Sequence, residues 1–175
     1  AKGIELLKKV FKDNNKVNLI AEDLGEASAD AAVLRNKYGI PGMNVLQFLF
    51  YDGDSVDSIE ENTVLYTGTH DNDTSIGWFE SLNNKLSSDE INDLKNILNS
   101  DSKGMNWSMI EYSFQARAKT VIVPVQDILG LGSDSRMNTP GTISENNWSW
   151  RMDSSELKDT MLRKMRDITE EANRA

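Results

Sequence analysis

The sequence of 175 residues contains no cysteine. A disulfide framework and a thiolate metal site are therefore excluded, and we expect a reducing compartment, most simply the cytoplasm. The sequence also lacks any run of the roughly 18 apolar residues that a membrane-spanning helix requires. It begins with an amphipathic pattern where a signal peptide would have an apolar core. We therefore expect a soluble protein, or a soluble piece of one, that does not bind a membrane.

Basic residues are in the minority, with 19 Lys and Arg against 28 Asp and Glu and a net charge of −9. No stripe of Lys and Arg interleaves with aromatic residues, so binding to nucleic acid is disfavoured. An acidic surface keeps many proteins in solution, so the charge alone identifies no partner.

Histidine occurs only once, at His70, which together with the missing cysteine disfavours a catalytic zinc site. The residues from Asp71 onward begin like a calcium loop, but Ile76 and Leu82 stand where that loop needs glycine and glutamate. No phosphate loop, dinucleotide fingerprint or nucleophile elbow is present. We expect neither a metal nor a cofactor.

Four short apolar or β-branched runs predict buried strands, at residues 17–21, 45–50, 63–67 and 120–125. None shows the strict alternation of a strand with one wet face, and helical patterns separate them. Both observations favour parallel strands covered on both faces, as in an α/β fold. No linker or repeat divides the chain, so we predict a single domain over residues 1–175.

Amphipathic patterns predict helices at residues 4–11 and 29–37, the second ending at Gly39. Ser87 with Glu90 has the spacing of a capping box before a further helix. Asp153 and Glu156 have the same spacing and predict the start of the last helix. Residues 130–152 form the longest irregular stretch, and loops of that length are usually functional, so we interpret it as a binding loop.

Acidic side chains follow several of the predicted strands. Glu22 and Asp23 follow the first strand, and His70 and Asp71 follow the third. In parallel α/β folds the carboxyl ends of the strands converge on one face, where active sites form. A carboxylate there is costly to desolvate unless it is paired, hydrogen-bonded or used in chemistry. The structural alternative is that Glu22 or Asp23 caps a helix or pairs with a lysine.

Two carboxylates from different strand ends, beside a histidine and several amides, suit glycoside chemistry. One carboxyl group protonates the leaving glycosidic oxygen, while the other stabilises positive charge at the anomeric carbon. Trp148 and Trp150 lie in the polar loop, where an indole could stack on a sugar ring. Trp78 and Trp107 lie in helical patterns and are predicted to be core residues.

Several short motifs occur in one order along the chain: AEDLG at residues 21–25, PGM at 41–43, VLQF at 45–48, YTGTHDNDT at 66–74, GW at 77–78, QDILG at 126–130, RMNTPG at 136–141 and NWSWR at 147–151. In this combination the chain resembles the 4-alpha-glucanotransferase (amylomaltase) family from about residue 19 to its end. The resemblance implies a (β/α)8 barrel and a retaining enzyme. Such an enzyme breaks an α-1,4 bond in a maltodextrin, holds a covalent glucosyl intermediate and passes the glucan to another sugar.

The resemblance also assigns roles to individual residues. It implies that Glu22 is the general acid/base and that Asp71 stabilises the transition state, with His70 hydrogen-bonded to the same sugar. Asn138 is expected to line the donor site, and Trp148 to bind sugar.

Two further residues of the first motif, Asp23 and Gly25, are expected to border the acceptor site. These assignments follow from the resemblance and not from the spacing of the residues.

The family's nucleophilic aspartate precedes the first strand of this chain, in an Arg-x-Asp-His setting that this sequence lacks. Arg151 and Asp153 imitate the pattern but follow the last predicted strand. A (β/α)8 barrel has eight strands and about 250 residues, whereas about four strands are predicted for this chain. We therefore expect the C-terminal half of a catalytic barrel, inactive alone. Its open sheet edges should pair with the missing N-terminal half or form a homodimer.

Two other readings stay open. The chain could be an open α/β module that binds an oligosaccharide, or a partner protein, without chemistry. It could also be a divalent-metal hydrolase built on His70, Asp71 and Asp73.

Overall fold

The computed structural model describes residues 2–13, 18–24, 28–100 and 104–174. A parallel sheet of three strands lies at its centre, in the order β1 (Gly42–Val45), β2 (Thr63–Tyr66) and β3 (Thr120–Ile122). Gly42 pairs with Thr63 across the first ladder, and Val64 pairs with Thr120 across the second. The described part of the chain therefore has three parallel strands, where about four were predicted.

Helices precede, connect and follow these strands: α1 (Lys2–Asp13), α2 (Ser28–Lys37), α3 (Leu46–Asp52), α4 (Ser75–Leu82), α5 (Ser88–Ile97), α6 (Met105–Phe114), α7 (Val125–Leu129) and α8 (Asp159–Glu171). Short 3-10 helices lie at Val56–Ser58 and Ser133–Ser135. Since parallel strands need long crossover connections, helices are the natural way to cover both faces of this sheet. The predicted α/β class is confirmed.

Two of the strand predictions are close to the structure. The prediction for residues 63–67 matches β2, and the one for 120–125 starts correctly but runs too far. Pro124 has no N–H to donate to a ladder and instead precedes helix α7, which begins at Val125.

The prediction of a strand at residues 45–50 is wrong. Strand β1 ends at Val45, and Leu46 begins helix α3, which stops at Gly53 in a left-handed conformation with φ of 72°. Leu46 and Leu49 are both buried. A short apolar run fits a buried strand and a buried helix equally well, so its periodicity did not distinguish the two.

The first predicted strand lies beside the sheet. Val17 falls outside the described residues, and residues 18–21 form no strand. The N–H of Ala21 nevertheless donates to the carbonyl of Pro41 at 2.8 Å. This bond holds the segment that carries Glu22 next to the start of β1.

The main core lies between the sheet and helices α3 to α6. Leu46, Leu65, Met105 and Met109 are all fully buried there, and Trp78 is 4% exposed, as predicted for a core residue. A second apolar cluster joins Ile110 and Phe114 of α6 to Ile168 of α8, and Trp107 packs against it. Helix α8 is thus held to the rest of the fold mainly through α6.

The capping predictions had different outcomes. The Ser87 and Glu90 box is present, with the Ser87 N–H donating to the Glu90 carboxylate at 2.8 Å. The box at Asp153 is wrong, since α8 begins at Asp159. Asp153 instead accepts from the N–H and hydroxyl of Ser155 at 2.9 and 2.8 Å, which lowers the pKa of Asp153. It closes a local turn, a conformation that competes with helix capping.

The remaining long segment, residues 130–152, is irregular as predicted, apart from the 3-10 helix at Ser133–Ser135. No helix within the described residues combines the length and the apolar character that crossing a membrane requires.

Candidate functional site

A cleft of about 790 Å³ opens at the carboxyl ends of the strands. It is lined by Glu22 from the segment beside β1, by His70 and Asp71 after β2, and by Gln126 and Arg136 after β3. The structure thus brings together three of the residues predicted from strand ends. Parallel topology brings the connections after β2 and β3 to one face of the sheet. Glu22 reaches the same cleft from the segment that Ala21 bonds to Pro41.

A tight turn presents His70 and Asp71 to this cleft. The side-chain oxygen of Asn72 accepts from the N–H and the hydroxyl of Thr69 at 3.0 and 2.7 Å. The N–H of Asn72 donates back to the Thr69 carbonyl at 3.2 Å. The two residues between them point outward, with His70 54% and Asp71 48% exposed. Glu22 is also exposed, so all three side chains are open to a ligand from solvent.

Hydrogen-bond donors converge on Asp71. The amide of Asn138 donates to Asp71 Oδ1 at 2.7 Å, and His70 Nε2 lies 3.5 Å from the same oxygen. Arg136 donates to the main-chain carbonyl of Asp71 at 3.0 Å and to that of Asn138 at 2.9 Å. The carboxylate is therefore oriented by contacts from two loops, and Asn138 lies beside it.

Trp148 lies against His70. The centres of the two rings are 5.1 Å apart at an angle of 40°. Trp148 has a φ of 64°, an uncommon value for a residue other than glycine, and its N–H donates to the Met137 carbonyl at 2.6 Å. The indole is still 54% exposed, so its free surface could meet an apolar ligand face beside Asp71.

Asp73 ties the two loops together below the site. One of its carboxylate oxygens accepts from the Ser133 hydroxyl at 2.8 Å and lies 3.6 Å from Arg136. The other accepts from the N–H of Thr74 at 2.8 Å. A Cβ at Gly77 would lie 2.2 Å from the Ser133 hydroxyl, so this contact needs glycine in helix α4.

Asp127 is a carboxylate whose importance the sequence did not reveal. It is 1% exposed, and it accepts from the Thr67 hydroxyl at 2.6 Å and from the Ser75 N–H at 2.7 Å. Burial raises the pKa of Asp127, although these two hydrogen bonds act in the opposite direction. In the sequence, only its position after the strand predicted at residues 120–125 suggested a role for Asp127. That position did not show that the side chain is buried.

Asp23 is described but does not line the cleft. One carboxylate oxygen lies 2.9 Å from Arg35 Nε, and the other accepts from the Met43 N–H at 3.0 Å. The side chain is 11% exposed, and a Cβ at Gly42 would lie 2.7 Å from it. These contacts hold the start of β1. They match the structural alternative for Asp23, which was pairing with a basic side chain, except that the partner is an arginine and not a lysine. The acceptor-site role of Asp23 stays a prediction, and Gly25 lies outside the described residues.

The described residues contain no group of three or more His, Cys, Asp or Glu side chains placed to hold a metal ion. His70, Asp71 and Asp73 belong to the described part, so they do not form such a group. Asp73 is engaged by Ser133 and Arg136 instead.

Comparison with known proteins decides the family. The family model described as 4-alpha-glucanotransferase matches residues 1–157. The chain belongs to the 4-alpha-glucanotransferase family. The resemblance noted from the sequence motifs is thereby confirmed.

Curated 4-alpha-glucanotransferases align with nearly the whole chain. The chloroplastic/amyloplastic protein of Arabidopsis thaliana is 43% identical over 163 residues, which cover 91% of this chain and 28% of the relative. The protein of Thermus thermophilus is 36% identical over 181 residues, covering 97% of this chain and 36% of the relative. The chain therefore spans about a third of the length of the curated 4-alpha-glucanotransferases that it matches.

A solved amylomaltase has the same fold over this region. The structure of amylomaltase from Streptococcus agalactiae in complex with acarbose superposes with a TM-score of 0.88 at 32% sequence identity. The match covers 100% of this chain and 36% of the amylomaltase. The arrangement of strands and helices in this chain is thus that of one part of a 4-alpha-glucanotransferase.

Proposed function

We propose that this chain supplies the acid/base part of a 4-alpha-glucanotransferase active site, in an enzyme that transfers α-1,4-glucan segments between maltodextrins with retention. One observation carries the proposal: in a member of this family, Glu22, His70 and Asp71 line a single cleft at the carboxyl end of a parallel sheet. The acarbose complex of the similar amylomaltase supports an oligosaccharide as ligand.

In this proposal Glu22 moves the proton. Its carboxyl group protonates the glycosidic oxygen as the bond to the leaving sugar breaks, and its carboxylate later takes a proton from the hydroxyl of the incoming acceptor. The same side chain serves both steps because the second is chemically the reverse of the first. Its exposure within the cleft is consistent with direct access by sugar.

Asp71 stabilises the positive charge that develops at the anomeric carbon. Fixed charges are effective in this role when they are oriented before the reaction, because no reorganisation is then needed. Asn138 at 2.7 Å from Asp71 Oδ1 provides such orientation. His70 hydrogen-bonds the same sugar, and the exposed face of Trp148 stacks on a sugar ring beside it.

The retaining mechanism also needs a nucleophilic carboxylate about 5–5.5 Å from the acid/base. We assign it to the part of the family's length that this chain does not span. In the described residues β3 has one neighbour, β2, so its other edge is available for pairing. This supports residues 1–175 as one domain that forms the C-terminal half of a (β/α)8 barrel.

Two further expectations remain predictions. A homodimer through the sheet edges would be an alternative to pairing with an N-terminal half. A cytoplasmic location is the other, and the relatives from Arabidopsis thaliana and Solanum tuberosum are named chloroplastic/amyloplastic.

The test is incubation with maltotriose, following glucose release and longer products. The chain is assayed alone and after mixing with a separately made N-terminal part of a related amylomaltase. We expect transfer only in the mixture, and we expect Glu22→Gln to abolish it. The exposed Glu80 on helix α4 provides a matched control, and Glu80→Gln should leave transfer unchanged.

Other outcomes separate the alternatives. Transfer by the purified chain alone would refute the view that it lacks a nucleophile. Saturable binding of maltodextrin without transfer in either sample would favour a binding module. In that case Trp148→Ala should abolish binding, while Ile143→Ala, at a fully exposed position in the same segment, should not. Activity that a strong chelator removes would favour a metal hydrolase.

A further inference from the structure

Asp127 has an environment that the catalytic roles of Glu22 and Asp71 do not explain. Asp127 borders the cleft but is only 1% exposed, so it offers almost no surface to a substrate. No ion pair involves it among the described residues, although Asp73 is close enough to raise its pKa further. A buried carboxylate without a cation is costly to keep, and its hydrogen bonds must offset that cost.

The two hydrogen bonds of Asp127 join the two ends of one loop. Thr67 immediately precedes residues 68–74, and its hydroxyl donates to Asp127 Oδ2 at 2.6 Å. Ser75 immediately follows that loop, and its N–H donates to Asp127 Oδ1 at 2.7 Å. A single carboxylate therefore spans the ends of the loop that carries His70 and Asp71.

The carboxylate is itself held in place from the other side. Asp127 lies in α7, after β3, and the side-chain amide of Asn106 on α6 donates to its main-chain carbonyl at 2.8 Å. The Thr67 N–H donates to the Ile122 carbonyl at 3.3 Å, which fixes the same strand ends relative to one another. Through Asp127, α6 and β3 thus hold the two ends of the loop, and both elements pack against the core.

We propose that Asp127 is a positioning residue that sets the conformation of the 68–74 loop and hence the placement of His70 and Asp71. The catalytic importance of this placement rests on the proposed function, whereas the placement itself does not. A carboxyl group has two acceptor oxygens, so a single side chain can accept from both ends of the loop at once. An asparagine would keep one acceptor for the Ser75 N–H, but its N–H₂ group could bond to Thr67 only if the Thr67 hydroxyl rotated to accept in place of donating.

The experiment uses the fact that His70 is the chain's one histidine. Its imidazole gives a single set of NMR signals, which report directly on the loop through the contacts with Trp148 and Asp71. We compare the 175-residue wild-type chain with Asp127→Asn and Thr67→Val. Both variants should move the His70 signals in the same direction, toward those of the chain unfolded in urea. The double variant should move them no further than the larger single change.

Two controls separate positioning from general loss of stability. Ile168→Ala removes a core side chain in the second apolar cluster, on helix α8, and should lower stability while leaving the His70 signals in place. Asp93→Asn removes an exposed carboxylate on α5 and should change neither property. Unchanged His70 signals in folded Asp127→Asn would overturn the proposal, as would an equal change in Ile168→Ala. If Asp127→Asn does not fold, Thr67→Val alone decides by the same criterion.

A second measurement connects the placement to catalysis. In the mixture with the N-terminal part of a related amylomaltase, Asp127→Asn should lower kcat roughly 10- to 100-fold with little change in KM, because small displacements of a catalytic group affect mainly the transition state. An unchanged kcat would contradict the proposal. If the wild-type mixture shows no transfer, the proposed function fails, while the NMR comparison still decides the role of Asp127.

Discussion

Replacing Arg174 should destabilise the fold substantially, although this residue is only half-buried. It lies three positions after helix α8 ends, and its guanidinium turns back toward α6. It donates to the main-chain carbonyls of Phe114 and Ala118, both at 2.8 Å, and to the carbonyl of Ala116. Carbonyls at a helix end have no partner within the helix, so Arg174 caps α6 and the turn that leads to β3.

The expected loss follows from these contacts. A hydrogen bond with a charged donor contributes about 1.5–3 kcal/mol when it is buried. Arg174 is only half-buried, so water replaces part of what is lost, and the desolvation that lowers the pKa of Arg174 offsets part of the gain. Counting the three bonds at reduced value, we expect Arg174→Ala to lower the free energy of unfolding by about 2–4 kcal/mol.

Urea unfolding followed by tryptophan fluorescence measures this difference. Arg166, on helix α8, is exposed and makes no ion pair or side-chain hydrogen bond with other described residues, so Arg166→Ala is the matched control. Its effect should stay within about 0.5 kcal/mol of zero. If the two variants were equally stable, the capping role of Arg174 would be wrong.

Three further predictions follow from the site. Because burial raises the pKa of Asp127, the stabilisation from its proton is complete below the ordinary value of 3.8 and is lost as pH rises through the folded value. The free energy of unfolding, measured by urea titration at increasing pH above 3.8, should therefore fall less steeply in Asp127→Asn than in wild type, by at most about 1.4 kcal/mol per pH unit. Gly77→Ala should lower the free energy of unfolding, measured by thermal unfolding, by about 1–3 kcal/mol because its Cβ would overlap the Ser133 side chain. Adding Ser133→Ala should restore part of that stability. Arg35→Met should lower the free energy of unfolding by about 3–5 kcal/mol because it leaves the Asp23 carboxylate without its cation. A smaller loss when Asp23→Asn is added would support the pair, and Lys37→Met, at an exposed position, is the control.

The elements that could be predicted from the sequence are those specified by local chemistry. The capping box at Ser87 and Glu90 depends on residues three apart, and strand β2 combines β-branched residues with three buried positions out of four. The segment from Leu46 to Phe50 could not be assigned in the same way. Its apolar side chains satisfy either a strand or a helix, and the choice depends on core contacts made with distant residues.

The candidate site shows the same division. Placing His70 and Asp71 in the cleft required only the rule that the carboxyl ends of parallel strands converge. Glu22 also lines the cleft, but the strand predicted before it is absent from residues 18–21. The partners of Asp127 and Asp23 could not be read in this way. Thr67 and Asp127 are 60 residues apart, and Asp23 and Met43 are 20 apart, so both contacts exist only after the chain has folded.

The 130–152 segment couples the conformation of its own loop to the positions of His70 and Asp71. Arg136 and Asn138 bond to Asp71, and Trp148 packs on His70, so three points of one irregular segment contact a single two-residue turn. Any ligand that displaces this segment must also move the groups that it holds. Under the proposed function, substitutions in this segment should therefore alter reaction rates as readily as affinity, although they lie far from Asp71 in the sequence.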